Sequence, residues 1–390
     1  MPGRLVNERI DRELTQLADA AQYKHLRHLR SPMGPLVNIE GYGEVVMLCS
    51  NDYLGLANDA EVVRAGINGL EQYGAGTASV RFITGTFDIH RDLEHSIARL
   101  SGTEAALTYT SAWAANEAVF PTLVGPNDVM ISDSLNHASL IDSIRQVRGA
   151  SRSIYQHGDI SAVEQELKDH AQADALWIVT DGVFSMEGDI AHLVELHRLA
   201  TDYDAMLVVD DSHGTGVLGD RGYGTHEHYD LMGKIDIITG TLGKALGGAA
   251  GGYVAASQRV IDLLVQRSRP GLFSNALAPT IAASAGKAIS ILEAHPERVD
   301  RLRANVTSLR DGLAALGYEC RASPSAIIPI IVGETADAIA KSARLLELGT
   351  MVIGFGYPVV PKGEARLRIQ ASSALEPEHI DRALTAFGAL

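Results

Sequence analysis

From residue 45 onward, the apolar and polar positions of the chain follow two alternating periodicities. Short apolar runs typical of buried strands are interrupted by stretches in which apolar residues recur every three to four positions, as on one face of a helix. The predicted strands lie at residues 105–109, 128–132, 176–180, 205–209 and 236–238, and the predicted helices at 92–100, from 116, at 139–147 and at 193–203. This alternation predicts an α/β fold with a mostly parallel sheet covered on both faces.

The two ends of the chain depart from this alternation. Residues 8–29 have helical spacing with many charges, and the helix breakers at 31–35 follow them, which predicts an N-terminal arm. After a helical stretch at 280–294, strand-like and helix-like segments mix in a pattern typical of a small α+β domain. We therefore expect an arm at residues 1–45, a large domain at 46–285 and a smaller C-terminal domain at 286–390.

Lys244 stands in a run of small residues, 239–248, directly after the apolar stretch 235–238. The run contains four glycines and no other charge, so the amine has neither a bulky neighbour nor an ion-pair partner close in sequence. A half-buried lysine of this kind has a lowered pKa and is suited to forming a Schiff base. The alternative, a solvated surface lysine, is disfavoured by the apolar and glycine flanks. A Walker phosphate loop is excluded because Ala245 follows the lysine where Ser or Thr is required.

Polar side chains follow four of the predicted strands. In parallel sheets, ligands bind at the carboxyl ends of the strands. Asp210 and His213 follow one strand, Ser185 follows a second, His137 a third, and residues 110–116 the fourth. Singly, an Asp after a strand is most often a helix cap, and a His beside it is most often only hydrogen-bonded. Their occurrence together with Lys244 favours one shared site.

A lysine, a carboxylate and imidazoles at one sheet edge match the needs of pyridoxal phosphate. The pyridine nitrogen stays protonated only beside a carboxylate, and Asp210 is the candidate for that partner. His213 and Ser185 are candidates for hydrogen bonds to the phenolic oxygen of the ring. His137 is the candidate for stacking on the ring face.

The charge of the chain restricts its partners. The net charge of −15 and the pI near 5.4 argue against nucleic acid and anionic membranes, because the protein's field repels polyphosphates. A phosphate group must therefore be bound locally. The amides near Ala112 and Trp113, at a predicted helix start, and the Thr241 hydroxyl are candidates, because helix N-termini bind such anions without net positive charge.

Composition indicates a soluble cytoplasmic protein. With 390 residues, of which 46% are hydrophobic, the chain can form a sizeable core. Cys49 and Cys320 form no disulfide framework or metal spacing, which suits a reducing compartment. Residues 1–30 carry no signal sequence, and no apolar run reaches the length of a membrane span. His226 and His228 lack a third ligand nearby, so we expect no metal site.

Between about residues 50 and 374, the chain resembles the α-oxoamine synthases. These are fold-type-I pyridoxal phosphate enzymes that join an amino acid to an acyl-CoA thioester. The matching text lies at residues 50–56, 78–82, 85–86, 133–139, 180–186, 210–213 and 239–248. So many matches in order make the resemblance specific, and it implies a homodimer with shared active sites.

The resemblance also implies a role for each candidate residue. Lys244 would form the Schiff base, Asp210 would pair with the pyridine nitrogen, His137 would stack on the ring, and Ser185 and His213 would contact the phenolic oxygen. Asn51 and Arg368 match positions that bind the substrate carboxylate. Thr241 and Ser274 match phosphate ligands, with Ser274 reaching in from the other subunit.

The implied reaction condenses a small amino acid, with glycine the first choice, and a short acyl-CoA, with acetyl-CoA the first choice, and releases CoA. Departures from the family pattern at residues 111–116, Gly271 and Gly356 leave the substrates open. The alternatives are a decarboxylative condensation of another amino acid or acyl-CoA, an aminotransferase or carbon–carbon lyase with the same cofactor, and a catalytically inactive homologue. An aminotransferase or lyase needs no thioester, so release of free CoA distinguishes it from a synthase.

Overall fold

The computed structural model describes residues 3–390, which divide into two compact units. The larger unit contains Asn51–Arg303 and Ser323–Ala326. The smaller contains the described chain up to Ser50, with Ala304–Ala322 and Ile327–Leu390. The chain passes from the smaller to the larger unit after Ser50 and back after Arg303. The domain limits inferred at residues 45 and 285 stay a prediction.

Strands and helices are numbered here in chain order. The strands are β1 (Leu36–Ile39), β2 (Gly43–Met47), β3 (Ala105–Tyr109), β4 (Val129–Asp133), β5 (Ser151–Tyr155), β6 (Leu176–Asp181), β7 (Ala205–Asp210), β8 (Ile237–Thr241), β9 (Gly252–Ala256), β10 (Ile327–Gly333), β11 (Thr350–Met351), β12 (Ile353–Phe355) and β13 (Ala365–Gln370). The helices are α1 (Arg4–Asp19), α2 (Ala60–Tyr73), α3 (Arg81–Thr84), α4 (Asp88–Ser101), α5 (Ala112–Leu123), α6 (Ala138–Gln146), α7 (Ile160–Asp169), α8 (Leu193–Asp202), α9 (Thr225–His228), α10 (Gln258–Arg267), α11 (Arg269–Phe273), α12 (Pro279–Ala294), α13 (Glu297–Ala315), α14 (Thr335–Glu347) and α15 (Pro377–Gly388).

A seven-stranded sheet in the order β3-β9-β8-β7-β6-β4-β5 forms the centre of the larger unit. Every pairing among β4 to β8 is parallel, whereas β9 is antiparallel to both β3 and β8. The predicted α/β fold with a mostly parallel sheet is therefore confirmed. The carboxyl ends of β4, β6, β7 and β8 share one edge of the sheet.

The continuous apolar strands reflect burial on both faces of this sheet. Val179, Val208 and Ile237 on the central strands are fully buried and belong to one core cluster with Phe120 of α5 and Leu264 of α10. Burying a side chain of this size stabilises the fold by about 1.5–3 kcal/mol. This packing fixes the strand ends, and with them the side chains that follow.

The smaller unit contains two three-stranded sheets, β1-β2-β11 and β10-β13-β12. β10, β12 and β13 pair antiparallel, and β11 pairs parallel with β2. Helices α14 and α15 pack against strands of this unit. Among residues 3–390, no helix combines the length and the apolar character needed to cross a lipid bilayer.

One local prediction differs from the structure, and several elements were not predicted. The helix expected over residues 8–29 occupies Arg4–Asp19 instead and ends where Ala21 takes a left-handed φ of 54°. Strand β5 was not predicted, because its residues are mostly polar and exposed in an edge strand. Strand β9 was not predicted either, because the glycines before it resemble a loop.

Candidate active site

A cavity of about 160 Å³ opens at the carboxyl ends of β4, β6, β7 and β8. Six of the predicted site residues line it, namely Ala112, His137, Asp210, His213, Thr241 and Lys244. Four residues that the sequence analysis did not single out complete the lining, namely Ser139, Asp181, Val183 and Ser212. The structure therefore brings together side chains that are up to 132 positions apart, from Ala112 to Lys244.

Lys244 lies in the loop that connects β8 to β9. Thr241 and Gly252 pair across these antiparallel strands, and Leu242 N–H donates to the Gly251 carbonyl at 3.0 Å, so the loop is closed at its base. The Thr241 hydroxyl accepts a hydrogen bond from Gly243 N–H at 3.0 Å. The lysine is half-buried in a loop that is fixed at both ends.

Asp210 is the last residue of β7 and is buried. Its Oδ2 accepts from Asn116 Nδ2 at 2.6 Å, and its Oδ1 accepts from Ser212 N–H at 3.0 Å. Two neutral donors orient this carboxylate beside the cavity. Asn116 is itself buried and was missed as a site residue, because its position on α5 gives no sign of a partner 94 residues later.

His137 caps the N-terminus of α6, where its Nδ1 accepts from Ser139 N–H at 3.2 Å. Burial by the surrounding protein lowers the pKa of the imidazole, an effect that the Asp210 carboxylate opposes and the Lys244 ammonium reinforces. The ring of Trp113 lies edge-on to the His137 ring, with centroids 6.2 Å apart and planes at 77°. A neutral imidazole therefore faces the cavity from the β4 side.

Asp181 ends β6 directly beside Asp210 in the sheet register. Its carboxylate accepts from His137 N–H at 3.1 Å and so fixes the turn before α6. Burial raises the pKa of Asp181 well above its usual range, and the negative charge of Asp210 raises it further. The position of Asp181 at a strand end was visible in the sequence. Ser185 of the same segment was instead chosen as the candidate for a hydrogen bond to the phenolic oxygen.

His213 is buried at the other side of the cavity. Its Nδ1 lies 2.8 Å from the hydroxyl of Tyr53, which is also buried. The phenol orients the imidazole, and this contact leaves Nε2 on the opposite side of the ring. Tyr53 was missed as an individual residue, although its segment was among those that carry the family resemblance.

The N-terminus of α5 forms another wall of the site. Ser111 caps the helix, with its hydroxyl accepting from Ala114 N–H at 3.1 Å and its carbonyl from Ala115 N–H at 3.0 Å. Neither bond uses the amides of Ala112 and Trp113. Of these two residues, only Ala112 lines the cavity, and Trp113 lies outside its lining. The first amides of a helix carry partial positive charge, so this helix end is suited to an anion.

Gly252 of β9 packs directly against this helix end. A Cβ at Gly252 would lie 2.5 Å from the carbonyl carbon of Ser111 and closer still to the Ala112 amide nitrogen. Only glycine permits the observed packing. The position of the α5 N-terminus therefore depends on the absence of a side chain at Gly252.

The remaining predicted residues lie outside the lining of this cavity. Ser185 is half-buried in the loop after β6, and Asn51 is half-buried at the start of the larger unit. Ser274 follows α11 and lines a different cavity of about 320 Å³, together with Arg267 and Arg269. The structure thus separates Ser274 from the cavity that contains Lys244 of the same chain.

Arg368 lies in β13 of the smaller unit. Its Nη2 donates to Gln370 Oε1 at 3.1 Å, and its guanidinium stacks over the Phe355 ring with the carbon 4.8 Å from the centroid. Arg366 on the same strand instead pairs with Glu364 at 3.1 Å. The two arginines are therefore held differently, and the fork of Arg368 is oriented by an amide and an aromatic face.

The donor set fits pyridoxal phosphate. The hydroxyl of Ser212 and Oδ1 of Asn116 are buried, and neither has a hydrogen-bond partner within residues 3–390, at a site otherwise rich in paired polar groups. A buried carboxylate suits a pyridine nitrogen, a lysine suits an aldehyde, and a helix N-terminus suits a phosphate. The two imidazoles suit the face and the phenolic oxygen of the ring.

Comparison with known proteins identifies the family of the chain. The family model for aminotransferase class I and II matches residues 43–387. This chain belongs to that family. The match includes all of the larger unit, most of the smaller one and every predicted site residue, and it leaves out α1 and β1.

Individual relatives within the family give a more specific comparison than the family model does. The chain is 47% identical over 367 residues to a 2-amino-3-ketobutyrate coenzyme A ligase of Salmonella typhimurium, covering 94% of this chain and 92% of the relative. It is 43% identical over 376 residues to an 8-amino-7-oxononanoate synthase of Geobacter sulfurreducens, covering 96% and 95%. A solved serine palmitoyltransferase with PLP has a TM-score of 0.92 at 29% identity, covering 97% of this chain and 96% of that one.

These likenesses confirm the predicted membership in the α-oxoamine synthases and the fold-type-I architecture. They also confirm pyridoxal phosphate as the cofactor and a PLP-dependent acyltransferase as the enzyme class. The roles of individual residues and the identities of the substrates remain predictions.

Proposed function

We propose that this family member condenses glycine with acetyl-CoA to give 2-amino-3-oxobutanoate and free CoA. The observation that carries the proposal is the similarity to 2-amino-3-ketobutyrate coenzyme A ligases over nearly the whole chain, at 47% identity for the Salmonella relative. The polar cavity at the strand ends supports it, because its side chains suit this chemistry. Bound pyridoxal phosphate supplies an aldehyde for an amine and an electron-withdrawing ring that stabilises negative charge on the substrate's α-carbon.

Four residues of the cavity hold the ring and the aldehyde of the cofactor in this proposal. Lys244 binds it covalently through Nζ, and Asp210, oriented by Asn116, keeps the pyridine nitrogen protonated. His137 stacks on the ring as a neutral imidazole. His213, oriented by Tyr53, donates to the phenolic oxygen, an atom to which Ser185 also contributes a hydrogen bond.

The phosphate and the substrate carboxylate have separate ligands. The α5 amides of Ala112 and Trp113, with the Thr241 hydroxyl, bind the phosphate. Asn51 and Arg368 bind the amino-acid carboxylate, for which the planar guanidinium is suited to a bidentate contact. The Lys244 amine, when it is not bonded to the cofactor, would take the proton from the substrate's α-carbon.

We also infer that the protein is a homodimer with shared active sites and that it is located in the cytoplasm. Ser274 lies in a cavity apart from the Lys244 of its own chain, which supports a role in the partner's phosphate site. Small-angle scattering and sedimentation test the assembly, and an active monomer would refute it.

A second candidate function is decarboxylative condensation with another amino acid or a longer acyl-CoA. This candidate is supported by the 43% identity to an 8-amino-7-oxononanoate synthase. The glycines that differ from the family pattern add less support than the sequence indicated. Neither Gly271 nor Gly356 lines the cavity, and a Cβ at Gly356 would lie 2.7 Å from Cβ of Thr335, so close packing alone explains that glycine.

A matrix of amino acids against acyl-CoAs, scored by thiol release, separates the candidates. Glycine with acetyl-CoA should give the highest kcat/KM. Neighbouring substrates should decline gradually, because one methylene changes the discrimination by only about 1–3 kcal/mol. If another pair is more than ~100-fold better, a difference of about 2.7 kcal/mol, the substrate proposal fails. Release of CO₂ from the amino acid would identify the decarboxylative reaction.

A further inference from the structure

A second polar cavity, of about 250 Å³, lies beside the turn before α6 and the loop after β6. Its wall contains His157, whose two ring nitrogens both face carboxylates. Nδ1 lies 3.1 Å from both oxygens of Asp133, and Nε2 lies 2.8 Å from Oδ2 of Asp189. The ring also packs edge-on against Phe184, with centroids 4.3 Å apart. Only a doubly protonated imidazole can donate at both nitrogens, so this geometry specifies an imidazolium.

The charges around His157 agree with this protonation state. Burial lowers the pKa of the ring, but the hydrogen bonds and charges of Asp133 and Asp189 outweigh burial and raise the pKa to about 10. Tyr155 and His192 are the other titratable groups that line this cavity. The Tyr155 phenol is itself neutral, because burial raises its pKa.

Asp133 ties His157 to the turn that carries His137. Its Oδ1 accepts from Leu135 N–H at 2.9 Å, and its carbonyl accepts from Asn136 N–H at 3.3 Å. The Asn136 side chain then spans β6, donating to the Val179 carbonyl at 2.8 Å and accepting from Asp181 N–H at 2.8 Å. This turn therefore has its conformation fixed by side chains on both sides.

Asp189 ties the same imidazolium to the loop after β6. Its carbonyl accepts from Phe184 N–H at 3.0 Å, and Gly188 N–H donates back to the Phe184 carbonyl at 2.8 Å. Val183 and Ile190 form an antiparallel bridge that closes the loop. Val183 is also part of the lining of the active-site cavity.

We propose that His157 is a positioning residue of the active site, a cation that joins the β4–α6 turn to the loop after β6. It holds the His137 ring and Val183 at their places in the cavity, and it does so without contacting cofactor or substrate. The proposal rests on the proposed function only in assigning His137 to the cofactor ring.

The test compares His157→Gln and Asp189→Asn with a control, His170→Gln. His170 is another histidine beside a carboxylate, 3.4 Å from Glu166 on the surface helix α7, so its loss should change nothing measured here. The first readout is histidine NMR of the apoprotein. We expect His157 to carry protons on both nitrogens at pH 8, and a neutral ring at that pH would overturn the proposal.

The second readout is the near-ultraviolet circular dichroism of the apoprotein, to which Trp113 contributes because it lies edge-on to His137. His157→Gln should alter this signal and weaken pyridoxal phosphate binding about tenfold or more, with kcat reduced about 10–100-fold and the KM for acyl-CoA unchanged. Asp189→Asn should act in the same direction more weakly, and it serves as the test if His157→Gln does not fold. Wild-type spectra and cofactor affinity in both variants would refute the positioning role.

These outcomes are separable from the substrate assignment. NMR, circular dichroism and cofactor titration use no amino acid or acyl-CoA. If glycine and acetyl-CoA prove to be poor substrates while these readouts change as expected, only the substrate proposal fails. If the substrates are confirmed and the readouts do not change, only the positioning role fails.

Discussion

Gly252→Ala should weaken binding of pyridoxal phosphate without removing any group that binds it. The added Cβ would stand 2.5 Å from the Ser111 carbonyl carbon, whereas ordinary van der Waals contacts begin near 3.4 Å. The N-terminus of α5 must therefore move by roughly 1 Å, because its backbone cannot rotate away as a side chain could. The overpacking should destabilise the fold by about 1–3 kcal/mol.

The displacement moves the amides of Ala112 and Trp113 away from the phosphate. A hydrogen bond to a charged group contributes about 1.5–3 kcal/mol, so losing one should raise the Kd of the cofactor about 10–100-fold. Titration of the apoprotein with pyridoxal phosphate, followed by absorbance, measures this change, and urea unfolding measures the stability.

A matched control is Gly286→Ala in α12, where a Cβ would meet nothing within 4 Å. This change should stabilise the helix by about 0.5–1 kcal/mol and leave the Kd unchanged. A Gly252→Ala variant that binds the cofactor as tightly as the wild type would show that the α5 N-terminus is not the phosphate site.

Three further predictions concern single side chains. Lys244→Ala should lose the visible absorbance of the lysine-bound cofactor and at least about 10³-fold in kcat, because one amine both anchors the cofactor and moves the α-proton; measurable turnover near the wild-type rate would contradict this. Asp210→Asn should still bind the cofactor but lose most of kcat, since an amide cannot keep the pyridine nitrogen protonated, and an unchanged kcat would mean that another group pairs with it. The folded-state pKa of His157 is raised to about 10, so the contribution of its charge to the free energy of unfolding is complete below about pH 6.5 and is lost as the pH rises through 10. In urea unfolding of the apoprotein, the free energy of unfolding of His157→Gln should lie furthest below that of the wild type near pH 6.5. This difference should shrink by about 3 kcal/mol towards pH 9.5.

The residues that sequence reasoning found lie at the ends of strands or in a glycine-rich loop directly after a strand. Asp210 ends β7, and Lys244 follows β8 in a glycine-rich loop, so local pattern placed both at the carboxyl edge of the sheet. The parallel sheet itself was predictable for the same reason, because its strands are continuous apolar runs. Element limits were less predictable, as the early end of α1 at Asp19 shows.

The residues that were missed act through contacts distant in sequence. Tyr53 meets His213 across 160 positions, and Asn116 meets Asp210 across 94. Neither contact leaves a spacing in the chain, because it depends on how separate strands and helices assemble. The role of Gly252 was invisible for a related reason, since a close approach between backbones becomes apparent only when both are in place.

The closed base of the β8–β9 loop has a consequence for chemical rescue of the lysine. Residues 242–251 are tethered at both ends by the paired Thr241 and Gly252, so the backbone that carries Lys244 is held at the cavity. A group tethered in this way can act at an effective molarity on the order of 10⁵ M. No soluble amine reaches such a concentration, so methylamine added to Lys244→Ala should restore only a small fraction of the lost rate.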